Sequence, residues 1–512
     1  MTAATTPVPV RLAPPLVGRV ELPLLLIVLA AGALRAAPYL LPGNLTGVLE
    51  YDDGVHYAAA AMLLDGHLPY RDFVFLHPPG VLVALTPFAL LGSWLGDPVG
   101  LAAARLAIVG VAMTNTWLVA RLASRALGRA GALAAAAAYA LHAGAIAAER
   151  TVLLEPLLNL LCLLAVDRLL AGERPPPGDR PPPGDLPLRR VGLLLGVAAS
   201  VKLFAAVYLV ATLLWLGRSV RRTAGPLVAG WAAGFALVVA PFALWAPGGW
   251  LRQTFLVQLA RPPSGIQGAG ARLTDVVGWR AAGWPPPPAP VLLLAGAALV
   301  GMLGWGASRG SPYARFWCLV TLPTLAVFAV SAPYYGHYGG FIAPALAGLV
   351  AVAAARAAQR RVALAGLALL GVLGVAQAAG MLRGLTGQAD LGRVTAVVPR
   401  SACVFADKPT LAISADQLPR RSGCWAWVDP RGDGLVRLHG HRPEGFYPAG
   451  FSDIDSWQAE VRWRLASADF ALLEGSPAEH PYWSEQTRRY LEASFVRRAA
   501  FARPRLELWQ RR

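Results

Sequence analysis

The sequence predicts a mainly α, polytopic helical membrane protein of about eleven membrane segments, with a small C-terminal α/β domain. Three observations predict it. The 512 residues are 56% hydrophobic and only 15% charged, with mean hydropathy +0.49, whereas soluble domains carry about 25% charged residues. Apolar runs near the length needed to cross a bilayer recur through residues 21–388. From about Ala389 those runs shorten and Asp and Arg become frequent.

The elements follow in order. Residues 1–20 form a short tail with Arg11 and Arg19 before the first apolar run, which reads as a retained cytoplasmic tail and anchor rather than a cleaved signal. Membrane segments are predicted at 21–41, 78–95, 100–120, 127–148, 152–171, 191–216, 224–246, 289–306, 314–332, 338–356 and 362–383. Arginine triplets at Arg121/Arg125/Arg129, Arg218/Arg221/Arg222 and Arg356/Arg360/Arg361 mark cytoplasmic loops, and the acid-rich loop 42–77 is placed outside. Full crossings by both 78–95 and 100–120 would put the first triplet on the wrong side. The segment 78–95 is therefore predicted to be re-entrant or to lie along the membrane. The run 191–216 is read as two half-helices around Lys202. The Pro-Gly-Asp repeat at 175–185 is a linker, and 247–288 a surface loop with Trp250, Trp279 and Trp284 at the interface. Residues 389–512 form an extracytoplasmic domain with strands near Ala402–Phe405, Phe470–Leu473 and Leu506–Trp509 and a helix at Trp483–Leu491.

The formal charge of +17 does not indicate nucleic acid, because the arginines sit in short loops and no recognition motif accompanies them. Only two lysines occur, Lys202 and Lys408, which makes the one in an apolar segment conspicuous. Cys162 and Cys318 read as packing residues, whereas Cys403 and Cys424 can pair if their domain is extracytoplasmic. No Cys/His cluster has zinc-site spacing, so no structural metal is expected.

The loop 42–77 carries five acids against one arginine: Glu50, Asp52, Asp53, Asp65 and Asp72 against Arg71. Asp53, His56, Tyr57, Ala60, Ala61 and Leu64 share one face of a helix capped by Asp52 or Asp53 and stopped at Gly66. This predicts an amphipathic surface helix with carboxylates at its leading end. Charge beside hydrocarbon is costly, and capping explains only one acid, so a functional cluster is the stronger reading.

Asp52-Asp53-Gly54 with Tyr57, then Gly66…Pro69-Tyr70…Asp72, then His77-Pro78-Pro79-Gly80, resemble the first extracytoplasmic loop of GT-C fold glycosyltransferases. They are most similar to the bacterial protein O-mannosyltransferase and aminoarabinose transferase superfamily, glycosyltransferase family 39. The motif match covers about 30 residues and the many-spanning topology supports it over 20–385. The resemblance implies transfer of a sugar from a polyprenyl-phosphate donor to an extracytoplasmic hydroxyl, in the plasma (inner) membrane. It implies Asp52 as general base, with Asp53 orienting the acceptor. Lys202, His77, His337 and Tyr338 are implied donor-phosphate or lipid contacts, with His77 standing where the aminoarabinose branch often has lysine. Glu50, His56, Tyr57, Arg150 and Glu155 complete the candidate sugar or acceptor site; for Arg150 and Glu155 a structural ion pair is the simpler account. No cofactor is implied, although the acids can hold a divalent cation. The acceptor is a protein, a glycolipid or a glycan, and mannose and arabinose both fit. A transporter or flippase of lipid-linked saccharides is the alternative, but it favours charges deep within repeated halves, and none is evident.

Overall fold

A computed structural model of the chain describes residues 21–171, 185–280, 284–285, 288, 311–357, 361–388, 391–438, 449–502 and 505–512. The N-terminal tail, most of the Pro-Gly-Asp repeat and the segment expected at 289–306 lie outside the described residues.

The chain is a bundle of apolar helices carrying a C-terminal α/β domain at one end. Helix α1 (Leu22–Ala36) starts beside the turn between the two limbs of the helix α4 (Asp97–Leu141), where Arg129 pairs with Glu21 at 2.7 Å. The limbs meet at Gly128, whose φ of 71° ends the first limb. Arg121 and Arg125 bind Asp167, near the end of α6 (Leu154–Ala171), at 3.0 and 2.7 Å. Glu21, this arginine turn and Asp167 therefore mark one end of the bundle. Among the described residues, five helical spans are long and apolar enough to cross a membrane, including α1 with the turn that follows it, α4 and α9 (Val220–Trp245).

The other end is capped by the C-terminal domain. Helix α2 (Tyr51–Leu64) lies under it, with the Thr410 hydroxyl donating to the Glu50 carbonyl at 2.9 Å. Helix α3 (Gly80–Leu95) begins against the Ser200 backbone and ends at Gly96, beside Asp416 of the C-terminal domain. Asp97 N–H donates to Asp416 at 3.0 Å. Both ends of α3 thus lie beside the capped end of the bundle, the geometry that a re-entrant or membrane-parallel 78–95 segment requires.

Lys202 breaks the 191–216 run with extended backbone, between α7 (Asp185–Val201) and a short turn leading into α8 (Ala206–Leu216). The half-helices are not in line, however: α8 returns to the opposite end, where the Trp215 indole donates to Pro312 O at 2.9 Å. Helices α7 and α9 then run side by side in the same direction. Gly192 and Gly196 press on the Leu227 and Trp231 backbones, and Gly230 and Gly234 on those of Arg189 and Leu193. Without side chains the backbones approach closely, which is how helices associate where lipid removes the hydrophobic drive.

Two expectations need correction. Helix α2 is not an amphipathic surface helix: it is buried almost all round, because the C-terminal domain covers the face turned from the bundle. Its N-cap is Glu50, whose carboxylate accepts from the Tyr51 N–H at 3.0 Å, not Asp52 or Asp53; the stop at Gly66 is as expected, with Leu64 the last helical residue, Gly66 at φ 86° and His67 N–H donating to Met62 O at 2.9 Å. The stretch after α9 is not a free surface loop either. Gln253 donates to Tyr70 O at 3.2 Å and Gln258 to Leu76 O at 2.8 Å, tying it to the acidic loop.

The C-terminal domain holds a four-stranded sheet, β1 (Val404–Ala406), β2 (Phe470–Glu474), β3 (Phe495–Ala502) and β4 (Arg505–Arg511), in the order β1-β2-β4-β3. The first pair is parallel and the others antiparallel. Three strands and the helix Glu485–Ser494 stand where predicted; β3 was not anticipated, since its Phe495-Val496-Arg497-Arg498 start breaks alternation. Cys403 and Cys424 form a disulfide, and Cys162 and Cys318 are buried and outside it.

Candidate active site

Where α2, α6, the α7–α8 break and the Tyr335–Tyr338 turn meet the C-terminal domain, they enclose a cavity of about 370 Å³. The acidic loop supplies Glu50 and Asp52 by starting α2 at the cavity, so its first turn projects inward. No hydrogen bond or ion pair holds the Asp52 carboxylate among the described residues. Desolvation first, and then the Asp52 charge, push the Glu50 carboxyl above its usual pKa.

The facing wall is basic and aromatic. Lys202 N–H still closes the α7 ladder on Ala198 O at 3.1 Å, but its extended backbone ends the helix there, and its ammonium reaches Glu155 Oε1 at 2.5 Å, over the Tyr338 and Phe204 rings at 4.0 and 4.5 Å. Glu155 therefore pairs with Lys202, not with Arg150. Glu155 Oε2 is buried without a hydrogen-bond partner. Arg150, His337 and Tyr338 line the same cavity. His56 meets the Val152 carbonyl at 2.9 Å and packs against His77 with ring centroids 5.9 Å apart. Desolvation, followed by the charges of His56, Lys202 and Arg261, holds His77 well below the usual imidazole pKa. It offers a neutral hydrogen bond where a lysine would offer charge.

Nine of the eleven anticipated residues thus line one cavity: Glu50, Asp52, His56, His77, Arg150, Glu155, Lys202, His337 and Tyr338. Asp53 and Tyr57 do not. Asp53 is fully buried on the bundle side, where Arg105 grips its Oδ2 at 2.5 Å and Thr151 donates at 2.6 Å. The Tyr57 hydroxyl donates to Asp97 at 3.1 Å, below α2. Consecutive helix residues point about 100° apart, and the step from Asp52 to Asp53 turns the second acid away from the cavity toward Arg105. Asp53 and Tyr57 are therefore not part of the cavity wall expected of them; each instead bonds α2 to neighbouring elements of the bundle.

Several lining residues escaped sequence reasoning: Tyr51, Arg261, Asp429 and Arg431. Asp429 accepts from the Tyr51 hydroxyl at 2.9 Å and from the Gly432 N–H at 2.8 Å. Burial raises its carboxyl to about 6. Arg431 lies over the Tyr51 ring at 4.1 Å. Arg261 precedes Pro262-Pro263, much as His77 precedes Pro78-Pro79, and that repeated pattern was the available signal. Nothing in the sequence distinguishes Asp429 or Arg431 from their many neighbours. Among the described residues, no three metal-ligating side chains converge.

Solved structures share this architecture. ArnT from Cupriavidus metallidurans bound to undecaprenyl phosphate superposes with a TM-score of 0.56 at 16% identity, over 94% of this chain and 97% of that one. Its apo state gives 0.58 at 15% identity, with the same coverage. The chain has the GT-C fold. No protein-family model and no curated protein matches the sequence. In the GT-C fold of this chain, the break at Lys202 and the first helix of the acidic loop open onto a common cavity at the bundle's capped end.

Proposed function

We propose that this protein is a membrane glycosyltransferase that moves a sugar from a polyprenyl-phosphate donor to an acceptor hydroxyl on the extracytoplasmic side of the plasma (inner) membrane. The observation that carries the reading is the single cavity in which an untethered carboxylate, Asp52, faces a wall bearing Lys202, Arg150, His337 and Arg261. The GT-C fold and the undecaprenyl phosphate bound by ArnT favour a polyprenyl-phosphate donor.

In this reading the acceptor oxygen attacks the anomeric carbon as its proton passes to Asp52. The bond from that carbon to the phosphate oxygen breaks, and polyprenyl phosphate leaves. Charge grows on the departing phosphate, which the cationic wall stabilises in a site shielded from water. Asp53 cannot take the proton, because its Oδ2 is committed to Arg105 and Thr151. The base and the cationic wall together supply the needed chemistry without a divalent cation, so a chelator should leave transfer intact. The disulfide Cys403–Cys424 supports an extracytoplasmic placement for the capping domain and the cavity beneath it.

The test is purified protein supplied with polyprenyl-phosphate mannose or arabinose and a membrane-extract acceptor. Asp52→Asn should lower turnover by about 10²–10⁴-fold. Full activity in that variant removes Asp52 as the base, and silence of the wild type with every such donor removes the transferase reading.

A further inference from the structure

A second, larger cavity of about 660 Å³ lies between the 67–74 stretch of the acidic loop and the C-terminal domain. It falls within the about 300–1,000 Å³ range of small-molecule clefts. The donor chemistry above does not use it. From its contents we infer that it binds the saccharide portion of the acceptor, an inference that rests on the transferase reading for the word acceptor but not for the sugar.

Two features of the walls point to a neutral, polyhydroxylated ligand. The first is aromatic. Trp425, Trp427 and Trp463 line the cavity, and Trp425 and Trp463 keep 37% and 61% of their surface exposed. Indoles left in contact with solvent at a cleft offer flat apolar faces for the C–H faces of a pyranose or furanose ring. His67 meets the Trp425 ring edge-on at 4.0 Å and fixes its orientation.

The second is a charge network that neutralises itself. Arg437 bonds Asp433 at 3.0 Å and Glu460 at 3.3 Å, and Arg464 bonds Glu460 at 2.8 Å. Arg464 also lies over the Trp427 ring at 5.1 Å. Each guanidinium is balanced by a carboxylate. The wall therefore presents donors and acceptors to hydroxyl groups without the net positive field that would select a phosphate.

The cavity also has a defined relation to the first. Asp429 belongs to the walls of both, and the Tyr51–Asp429 hydrogen bond stands between them. A saccharide held against the tryptophans would lie one side chain away from the cavity of Asp52.

The experiment uses the full-length protein in detergent micelles, with saturation-transfer NMR on mannotriose, arabinotriose and chitotriose. At least one trisaccharide should bind saturably, and Trp463→Ala and Trp425→Ala should each weaken it by about tenfold or more. Trp425→Phe, which keeps a ring, should retain most of the binding, separating loss of stacking from loss of fold. Absence of saturable binding by all three sugars, or binding indifferent to both alanine variants, overturns the inference. Transfer to membrane-extract acceptor is followed on the same preparations. Sugar binding without any transfer removes the enzymatic reading and leaves the saccharide site standing. Transfer with an unchanged acceptor KM in both alanine variants removes the saccharide site and leaves the enzyme.

Discussion

Asp52 and Asp53 are neighbours in sequence with opposite fates. Asp52 opens onto the cavity, while Asp53 is locked in a fully buried ion pair with Arg105. Removing one member of such a pair leaves an uncompensated charge, so Arg105→Ala should cost about 3–5 kcal/mol of stability, measured as a fall in melting temperature. Asp53→Asn strands the Arg105 charge and should also destabilise the fold, but per folded molecule it should lose far less turnover than Asp52→Asn once protein yield is normalised. Equal losses in the two asparagine variants would contradict the division of roles. Lys202 is tied to Glu155, and Lys202→Gln is expected to raise the donor KM by at least about tenfold by removing a charge-assisted phosphate contact. Asp429 gives a pH prediction. Its carboxyl, ordinarily near 3.8, is raised to about 6 by burial, so the folded state prefers it protonated. The associated stability is present below the unfolded value and is lost as pH rises through 6. Between pH 4 and 7 the wild type should therefore lose up to about 3 kcal/mol relative to Asp429→Asn, read from melting curves of both proteins.

At the scale of elements, the break at Lys202 and the packing of α7 on α9 matter more than any regular helix. The backbone at Lys202 is extended without a glycine or proline to demand it, and the hydrophobic run on either side was long enough to be read as two halves. That α8 turns back toward the other end was not legible, because both halves have the same composition. The reciprocal glycines of α7 and α9 fix how these helices meet. A Cβ at Gly196 or Gly234 would strike the partner's backbone, which cannot yield as a flexible side chain can. Gly196→Leu or Gly234→Leu should separate the helices, move Lys202 away from Glu155, and lower both melting temperature and transfer. Gly225→Leu, where a Cβ meets open space, is the control and should behave as wild type. The paired Gly-x-x-x-Gly spacing at 192–196 and 230–234 was visible in the sequence and is the packing signal that mattered most.

For the whole molecule, the deciding feature is that the C-terminal domain is a wall of the site rather than an appendage. It contributes Asp429 and Arg431 to the first cavity and most of the second. The ends of the helices alternate between the arginine turn at Arg121–Arg129 and this domain, so opposite sides are expected for the two. Alkaline phosphatase fused after Arg512 should be active and after Arg125 inactive; the reverse pattern would invert the proposed orientation. The disulfide closes a separation of 21 residues within that domain. Replacing both cysteines by serine should cost about 2–4 kcal/mol and make the domain more sensitive to protease.

The sequence by itself determined the membrane class and nine residues that share a cavity, and it pointed to 78–95 and to Lys202 as the places where regular crossing helices fail. Each of these is local: hydrophobic length, loop charge and a motif of about 30 residues are properties of contiguous chain. Only the tertiary structure decided which of two adjacent acids faces the cavity, because helix rotation is set by what packs on the helix. It alone brought Asp429, Arg431 and the tryptophans to the acidic loop, since contacts across hundreds of residues leave no periodicity to read.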